Sequence, residues 1–341
     1  MHKALLAEDL PDSRVRCNIC QWRCTTSPGR TGVCKMYRNR EGVLYNMNYA
    51  KVSSVAVDPI EKKPLFHFFP GSLVFSLGGW GCNFHCRDCQ NWEIACVDLP
   101  QTGNVIQPEE AVKLAEEYNC GGIALTYNEP TVWFEYTLDC SRLAKQKNLY
   151  TVYVTNGYMT PEALDIIGPY FDAWRVDVKG FNDALYKQLA GISRWRGILE
   201  VARRAKEKWQ MHVEVVTNVI PTKNDDEKQL GDIASWIYNE LGELTPWHVT
   251  RFHPQHNMAD LPPTPVSTLE RAVDIGRKTG LKFVYVGNAP GHGGENTVCY
   301  TCGNTNVQRF GYQAEVKGIR GSKCRHCGAE LNFRVVKGGG E

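Results

Sequence analysis

From about residue 74 the sequence alternates short apolar, β-branched runs with longer stretches whose apolar residues fall at spacings of three and four, and this alternation sets the fold class. Residues 74–77, 122–127, 150–155, 173–178, 212–218, 247–252 and 283–286 read as strands. Between them, 108–119, 132–147, 161–168, 193–209, 226–241 and 267–279 read as helices, two of which open with the proline that suits a first helical turn. Strands alternating with helices imply an α/β fold with a parallel sheet, either open and doubly wound or closed into a full or partial barrel. Both forms place function at the carboxyl ends of the strands. There the chain carries GGWGCNFHCRDCQNW, TYNEPT, TNG, DVKG, TNVIPTKND and RFHPQH in turn. Any one of these loops could be turn chemistry alone, but a succession holding Cys, Glu, Lys and His points to a shared site.

The 14 cysteines sharpen that reading. Three groups stand out: Cys17, Cys20, Cys24 and Cys34; Cys82, Cys86 and Cys89; Cys299, Cys302, Cys324 and Cys327. Cys96, Cys120 and Cys140 stand alone and read as small apolar residues. No run of 18 apolar residues could span a membrane, and MHKALLAEDLPDS has too short an apolar stretch for a signal peptide. A cytoplasmic protein without a membrane partner is expected. In that setting thiols stay reduced, and tight cysteine groups are metal ligands rather than disulfides. A net charge of +2 gives no basic domain of the kind nucleic acid requires, so no nucleic-acid partner is expected.

Cys82, Cys86 and Cys89 form CxxxCxxC directly after a predicted strand, with glycines ahead that let the backbone turn closely. A structural zinc site wants four closed ligands, whereas an iron–sulfur cluster on three cysteines keeps one iron open to a small molecule. This motif resembles that of the radical S-adenosylmethionine (SAM) superfamily. More closely, 17–34, 58–71 (DPIEKKPLFHFFPG), 81–92, 121–131, 247–254 and 281–291 resemble the radical SAM component of the AmmeMemoRadiSam system, a family related to pyruvate formate-lyase activating enzymes.

The resemblance implies a partial (β/α)6 TIM-like barrel over 71–292, with a cysteine-rich segment over 1–70 and a zinc-ribbon or rubredoxin-like domain over 293–341. It implies a [4Fe-4S] cluster on Cys82, Cys86 and Cys89, whose open iron takes the amino and carboxylate groups of SAM. Reductive cleavage then gives methionine and a 5′-deoxyadenosyl radical that abstracts hydrogen. The loop from Gly121 and Gly122 to Asn128 and Glu129 matches a SAM-contacting segment, and Asp177 and Lys179 match an Asp-x-Lys that holds the methionine end. Asn156, Asn218 and His253 end the third, fifth and sixth strands, where they could reach ribose or adenine. The residue before the third cysteine is Asp88 where the family usually has an aromatic, so Trp80 or Trp92 is expected to take the stacking role. No further catalytic residue is assigned.

The outer groups read as separate metal sites. CYTCG and CRHCG are two knuckles 21 residues apart, the pattern of a ribbon gripping one tetrahedral metal, zinc by default or iron. Cys17, Cys20, Cys24 and Cys34 suit zinc or an auxiliary [4Fe-4S] cluster equally on ligand count. His67 and His85 fall into no tetrahedral spacing and read as core or surface residues.

A radical SAM enzyme acting anaerobically on an unidentified substrate is therefore expected. A glycyl-radical enzyme activase is the alternative within that chemistry, and a non-catalytic metal-binding or electron-transfer module is the alternative outside it. The implied partners are a one-electron reductant such as flavodoxin or ferredoxin, and Memo-like and AMMECR-like proteins acting in trans.

Overall fold

The computed structural model describes residues 1–100 and 103–335, so the terminal GGGE, expected to fray, lies outside the described residues. The alternation expected of the sequence is present. Strands β1 (Ser54–Pro59), β2 (Leu73–Gly78), β3 (Gly122–Leu125), β4 (Tyr150–Thr155), β5 (Ala173–Asp177), β6 (His212–Val219), β7 (Trp247–Arg251) and β8 (Val284–Gly287) form one eight-stranded sheet in chain order. The ladders β2–β3, β3–β4, β6–β7 and β7–β8 are parallel, as a partial barrel requires. Helices α1 (Pro108–Glu117), α2 (Phe134–Gln146), α3 (Pro161–Ile167), α4 (Asp183–Ala190), α5 (Arg196–Glu207), α6 (Glu227–Trp236) and α7 (Val266–Thr279) fill the connections.

Local chemistry explains the helix ends. Thr160 Oγ1 accepts from Ala163 N–H at 3.2 Å ahead of the proline that opens α3, and Asp226 caps α6 by accepting from Gln229 N–H at 2.9 Å. Helix α2 starts later than its apolar pattern because Pro130–Trp133 tightens into a 3-10 turn capped by Glu129. Helix α6 likewise widens into a π turn over Ile237–Leu241.

One compact unit comprises Met1–Asp58, Val74–Trp174 and Leu189–Met211, and the other comprises Pro59–Leu73, Arg175–Gln188 and His212–Glu341. The first packs Ile123, Leu125, Val152 and Tyr153 of the sheet against Trp133, Phe134 and Leu138, all at most 2% exposed, with Tyr153 stacked on Trp174 at 5.0 Å. Its amino-terminal antiparallel strands are tied down by one buried carboxylate. Glu135 accepts from Tyr37 Oη and Asn46 Nδ2, each at 2.7 Å, and from Leu5 N–H at 3.0 Å. A buried charge with three donors is satisfied, which is why a glutamate is tolerated inside the first turn of α2.

The second unit buries Phe66, Phe283, Tyr285, Val307, Leu331 and Phe333 as one cluster. Glu214 lies beneath it, accepting from His67 N–H at 2.7 Å, Phe66 N–H at 3.0 Å, His212 Nε2 at 2.9 Å and His248 Nε2 at 2.6 Å. The Arg309 guanidinium sits over the Phe66 ring and donates to Phe66 O at 2.6 Å and Thr297 Oγ1 at 2.8 Å.

Candidate functional site

In the first unit, β2 runs out into Gly78 and Gly79, and the three-cysteine loop follows. Gly81 has φ of +80°, and a Cβ there would stand 2.6 Å from the Met36 side chain, so glycine alone turns the chain without displacing it. The loop is clamped from the end of β3. Asn128 Oδ1 accepts from Gly79 N–H at 3.0 Å, and Asn128 Nδ2 donates to Gly81 O at 2.8 Å. From the far side, Asn91 Nδ2 donates to Tyr127 O at 2.6 Å.

Cys82 is the best defined of the three thiols. Its sulfur accepts from Phe84 N–H at 3.3 Å and from Asn156 Nδ2 at 3.8 Å. Burial pushes its thiol well above the ordinary range, and the charges of Glu129, Cys86 and Cys89 push the same way. A buried thiol with two more beside it needs a bound cation to become a thiolate in their company. Amide donors aimed at the sulfur are what a cluster-bound thiolate accepts. The donor set therefore fits a [4Fe-4S] group.

Glu129 and Asn156 hold the strand ends. Glu129 accepts from Thr131 N–H at 3.0 Å, Thr155 Oγ1 at 2.7 Å and Asn156 N–H at 2.8 Å. Burial raises its pKa, and those hydrogen bonds oppose the rise. The Asn156 side chain also donates to Asn83 Oδ1 at 2.8 Å and accepts from Tyr158 N–H at 2.9 Å. Asn128, Glu129 and Asn156, expected as SAM contacts, thus build the loop that carries the cysteines. Gly121 and Gly122 are not brought to it. They stand at the amino end of β3, where the Tyr150 carbonyl and ring occupy the space a side chain would need. Asp88 is buried and Trp92 is 41% exposed.

In the second unit, Asp177 Oδ1 pairs with Arg175 Nη1 at 2.8 Å, so its carboxylate already has a cation beside it. Lys179 N–H donates to Tyr186 Oη at 3.0 Å, and Asn224 Nδ2 donates to both Lys179 O and Asn218 O at 2.9 Å. One amide therefore fixes the DVKG loop to the end of β6. His253 is exposed with Nε2 at 3.3 Å from Asn288 O. Sequence reading missed Arg175, Asn224, Asn288 and Asn83, because single residues inside strands and turn-forming asparagines carry no spacing signal.

The carboxyl-terminal cysteines form a small tetrahedral set in the same unit. Strands β9 (Thr297–Val298), β10 (Thr305–Phe310) and β11 (Gln313–Val316) make an antiparallel ribbon. The ligand atoms of Cys299, Cys302, Cys324 and Cys327 all lie within 4.8 Å of one another, with Cys299–Cys327 at 3.6 Å and Cys302–Cys324 at 3.8 Å. A tetrahedron of zinc–sulfur bonds has edges of about 3.8 Å, so the sulfurs already stand where zinc would hold them. Asn306 Nδ2 donates to Cys324 at 3.3 Å and Asn304 Nδ2 to Cys302 at 3.3 Å. Against the rise from burial, the Asn306 amide and nearby backbone N–H groups bring Cys324 down to about 6. His67 is a core residue, with Nδ1 at 2.7 Å from Leu331 O and Nε2 at 2.6 Å from Tyr285 Oη.

A cysteine loop at the end of the first parallel strand, clamped by the second, defines a cluster-binding α/β domain. Residues 79–234 match the Radical SAM superfamily, so the chain carries a Radical SAM domain. It is 41% identical to Uncharacterized protein MJ0808 of Methanocaldococcus jannaschii over 98% of this chain and 99% of that protein. It is 31% identical to the isethionate sulfite-lyase activating enzyme of Nitratidesulfovibrio vulgaris over 38% of this chain and 42% of that protein. With pyruvate formate-lyase 1-activating enzyme of Escherichia coli it shares 25% identity over 60% of this chain and 89% of that protein. A radical SAM methyltransferase structure from Sphaerobacter thermophilus, 18% identical, shares the fold with a TM-score of 0.50 over 64% of this chain and 67% of its own. Among the described residues no helix is long and apolar enough to cross a membrane.

Proposed function

We propose that this protein binds a [4Fe-4S] cluster through Cys82, Cys86 and Cys89 and uses it on SAM to start hydrogen abstraction from a substrate. The observation that carries the reading is the clamped loop in which Cys82 receives the Phe84 N–H and faces the Asn156 amide. When bound, the cluster supplies one electron to the sulfonium of SAM, giving methionine and a 5′-deoxyadenosyl radical. The chain's own part is to position: Asn128 fixes the loop's turn, Glu129 joins two strand ends, and Asn156 lends hydrogen bonds to sulfur. Assignment of Asp177 and Lys179 to the methionine end of SAM, and of Asn218 and His253 to its ribose and adenine, rests on the resemblance. A carboxylate suits the ammonium and a lysine the carboxylate. The electron would come from a one-electron donor of flavodoxin or ferredoxin type.

The test is anaerobic formation of 5′-deoxyadenosine from SAM by the reconstituted, reduced protein. Cys86→Ala should abolish it, and an iron-loaded wild type yielding none would sink the reading. A second reading, transfer of the radical to a glycine of a partner protein, is favoured by similarity to two activating enzymes. A glycyl doublet in the electron paramagnetic resonance of a partner captured from the native source would distinguish it. Membership of the AmmeMemoRadiSam system, with Memo-like and AMMECR-like partners and a cytoplasmic setting, rests on the motif resemblance. Co-purification of such proteins with the tagged chain tests it.

A further inference from the structure

Cys17, Cys20, Cys24 and Cys34 lie in the same compact unit as the three-cysteine loop. The strand Arg14–Cys17 pairs with Thr25–Thr26, and Cys17 N–H donates to Cys24 O at 2.9 Å, which sets these two residues across one hairpin. Cys20 sits in the turn between them, where Arg23 N–H returns to Cys20 O at 3.0 Å. The segment after Gly32 folds back on Cys24: Val33 N–H donates to Cys24 Sγ at 3.4 Å, and a Cβ on Gly32 would stand 3.2 Å from that sulfur. Four thiols from two turns thus converge, and each acts electrostatically on the other three.

They converge less tightly than the ribbon thiols. Among the described residues, the set whose ligand atoms all lie within 4.8 Å of one another is Cys299, Cys302, Cys324 and Cys327. Four thiolates on one zinc must close to that kind of spacing, whereas four thiolates on a cubane stand apart because an iron–sulfide core lies between them. The surroundings agree with the larger group. Asn83 is fully buried, its carbonyl accepts from Trp22 Nε1 at 2.8 Å, and its Oδ1 accepts from Asn156. Its Nδ2 is turned to the Cys20 sulfur without closing a full hydrogen bond to it. A buried amide left short of its acceptor is costly, and a charged sulfur on a bound cluster would satisfy it. Tyr158 meets the Phe84 ring at 5.3 Å and the Trp22 ring at 6.1 Å beside this amide, a shell that limits water.

We propose that Cys17, Cys20, Cys24 and Cys34 hold an auxiliary [4Fe-4S] cluster rather than zinc, with all four ligands from this chain. Asn83, inside the three-cysteine motif, is the residue through which the two cysteine groups meet. Full ligation leaves no open iron, so this centre takes no SAM.

The experiment is iron, sulfide and zinc analysis of the anaerobically reconstituted full chain beside its C82A/C86A/C89A variant. Wild type should hold about eight irons and the variant about four with matching sulfide, each with about one zinc. The variant's reduced spectrum should not change on adding SAM, whereas half of the wild-type signal should. A variant without iron but with about two zincs overturns the proposal, as does one holding a single iron without sulfide. Where the triple variant does not fold, C17S/C24S replaces it and should lose half the iron while keeping the SAM-sensitive half. Unchanged iron there overturns the site. Failure of the radical SAM reading would look different, because the SAM-sensitive half would be missing from wild type.

Discussion

Asn156 donates toward Cys82, to Asn83, and through its backbone to Glu129, so one side chain and one amide link the ends of two strands to the cluster loop. Replacing Asn156 by Ala removes its hydrogen bond on the Cys82 sulfur while leaving the Phe84 N–H bond and every thiol in place. SAM cleavage should fall by roughly 10–100-fold with iron content retained, the size of effect usual for groups that orient metal ligands. Rate and iron measured on the same sample check this, and a variant that loses iron in proportion to rate would show a purely structural role. Gly81 gives a second test at this scale. Gly81→Ala meets both a positive φ and the Met36 side chain, and should cost about 1–3 kcal/mol in denaturant unfolding. Met36→Ala in the same chain should recover part of the loss, since it removes the obstacle but not the backbone strain.

Among elements, the ribbon is the part whose four thiols could close on a metal. Cys302→Ser removes one of the four, and should lower the metal content of the purified chain by one ion and bring a new low-temperature transition in calorimetry. How far this architecture could be read in advance follows from the kind of signal each element emits. Strand β4 announces itself by an unbroken β-branched and aromatic run, and the cysteine knuckles by spacing. Helix α4 did not, because its eight residues follow the DVKG turn too closely to show a period of their own. Strand β1 buries only Asp58 along Ser54–Pro59 and ends on a proline, which masks it as loop. Among the candidate residues, the cysteines, Asp177 and Lys179 were legible as motif letters. Asn83 and Asn224 were not, since their roles come from amides reaching between loops distant in sequence. Gly121 and Gly122 misled for the reverse reason: two glycines near a functional loop mark the close approach of Tyr150 at the other end of the strand.

For the whole molecule, the buried Glu214 network sets a response to acid. Burial drives the His67 pKa down to about 3 and also lowers that of His248. Burial works against Glu214 too, but the hydrogen bonds from His212 and His248 hold its carboxyl well below the usual range. Unfolded imidazoles take up protons near the ordinary 6.5. The unfolded chain therefore binds more protons than the native one below that pH, and stability should fall as pH drops from about 6.5 toward 3. Glu214 adds a loss of the same sign below the ordinary 4.5. Melting temperature against pH would show this slope, and Glu214→Gln should destabilise by about 3–5 kcal/mol at neutral pH by leaving the buried network without its acceptor charge. Arg309 and Leu331 bear on a different question, that of chronology. They close onto Phe66 and His67 across sequence separations of 243 and 264 residues. During synthesis the Phe66 cluster stays open until Arg309 and Leu331 have left the ribosome, so completing it is a long-range closure. Such a closure leaves Phe66, Phe283 and Tyr285 without cover in every nascent chain, and expression at lower temperature or with added chaperones should raise the soluble yield.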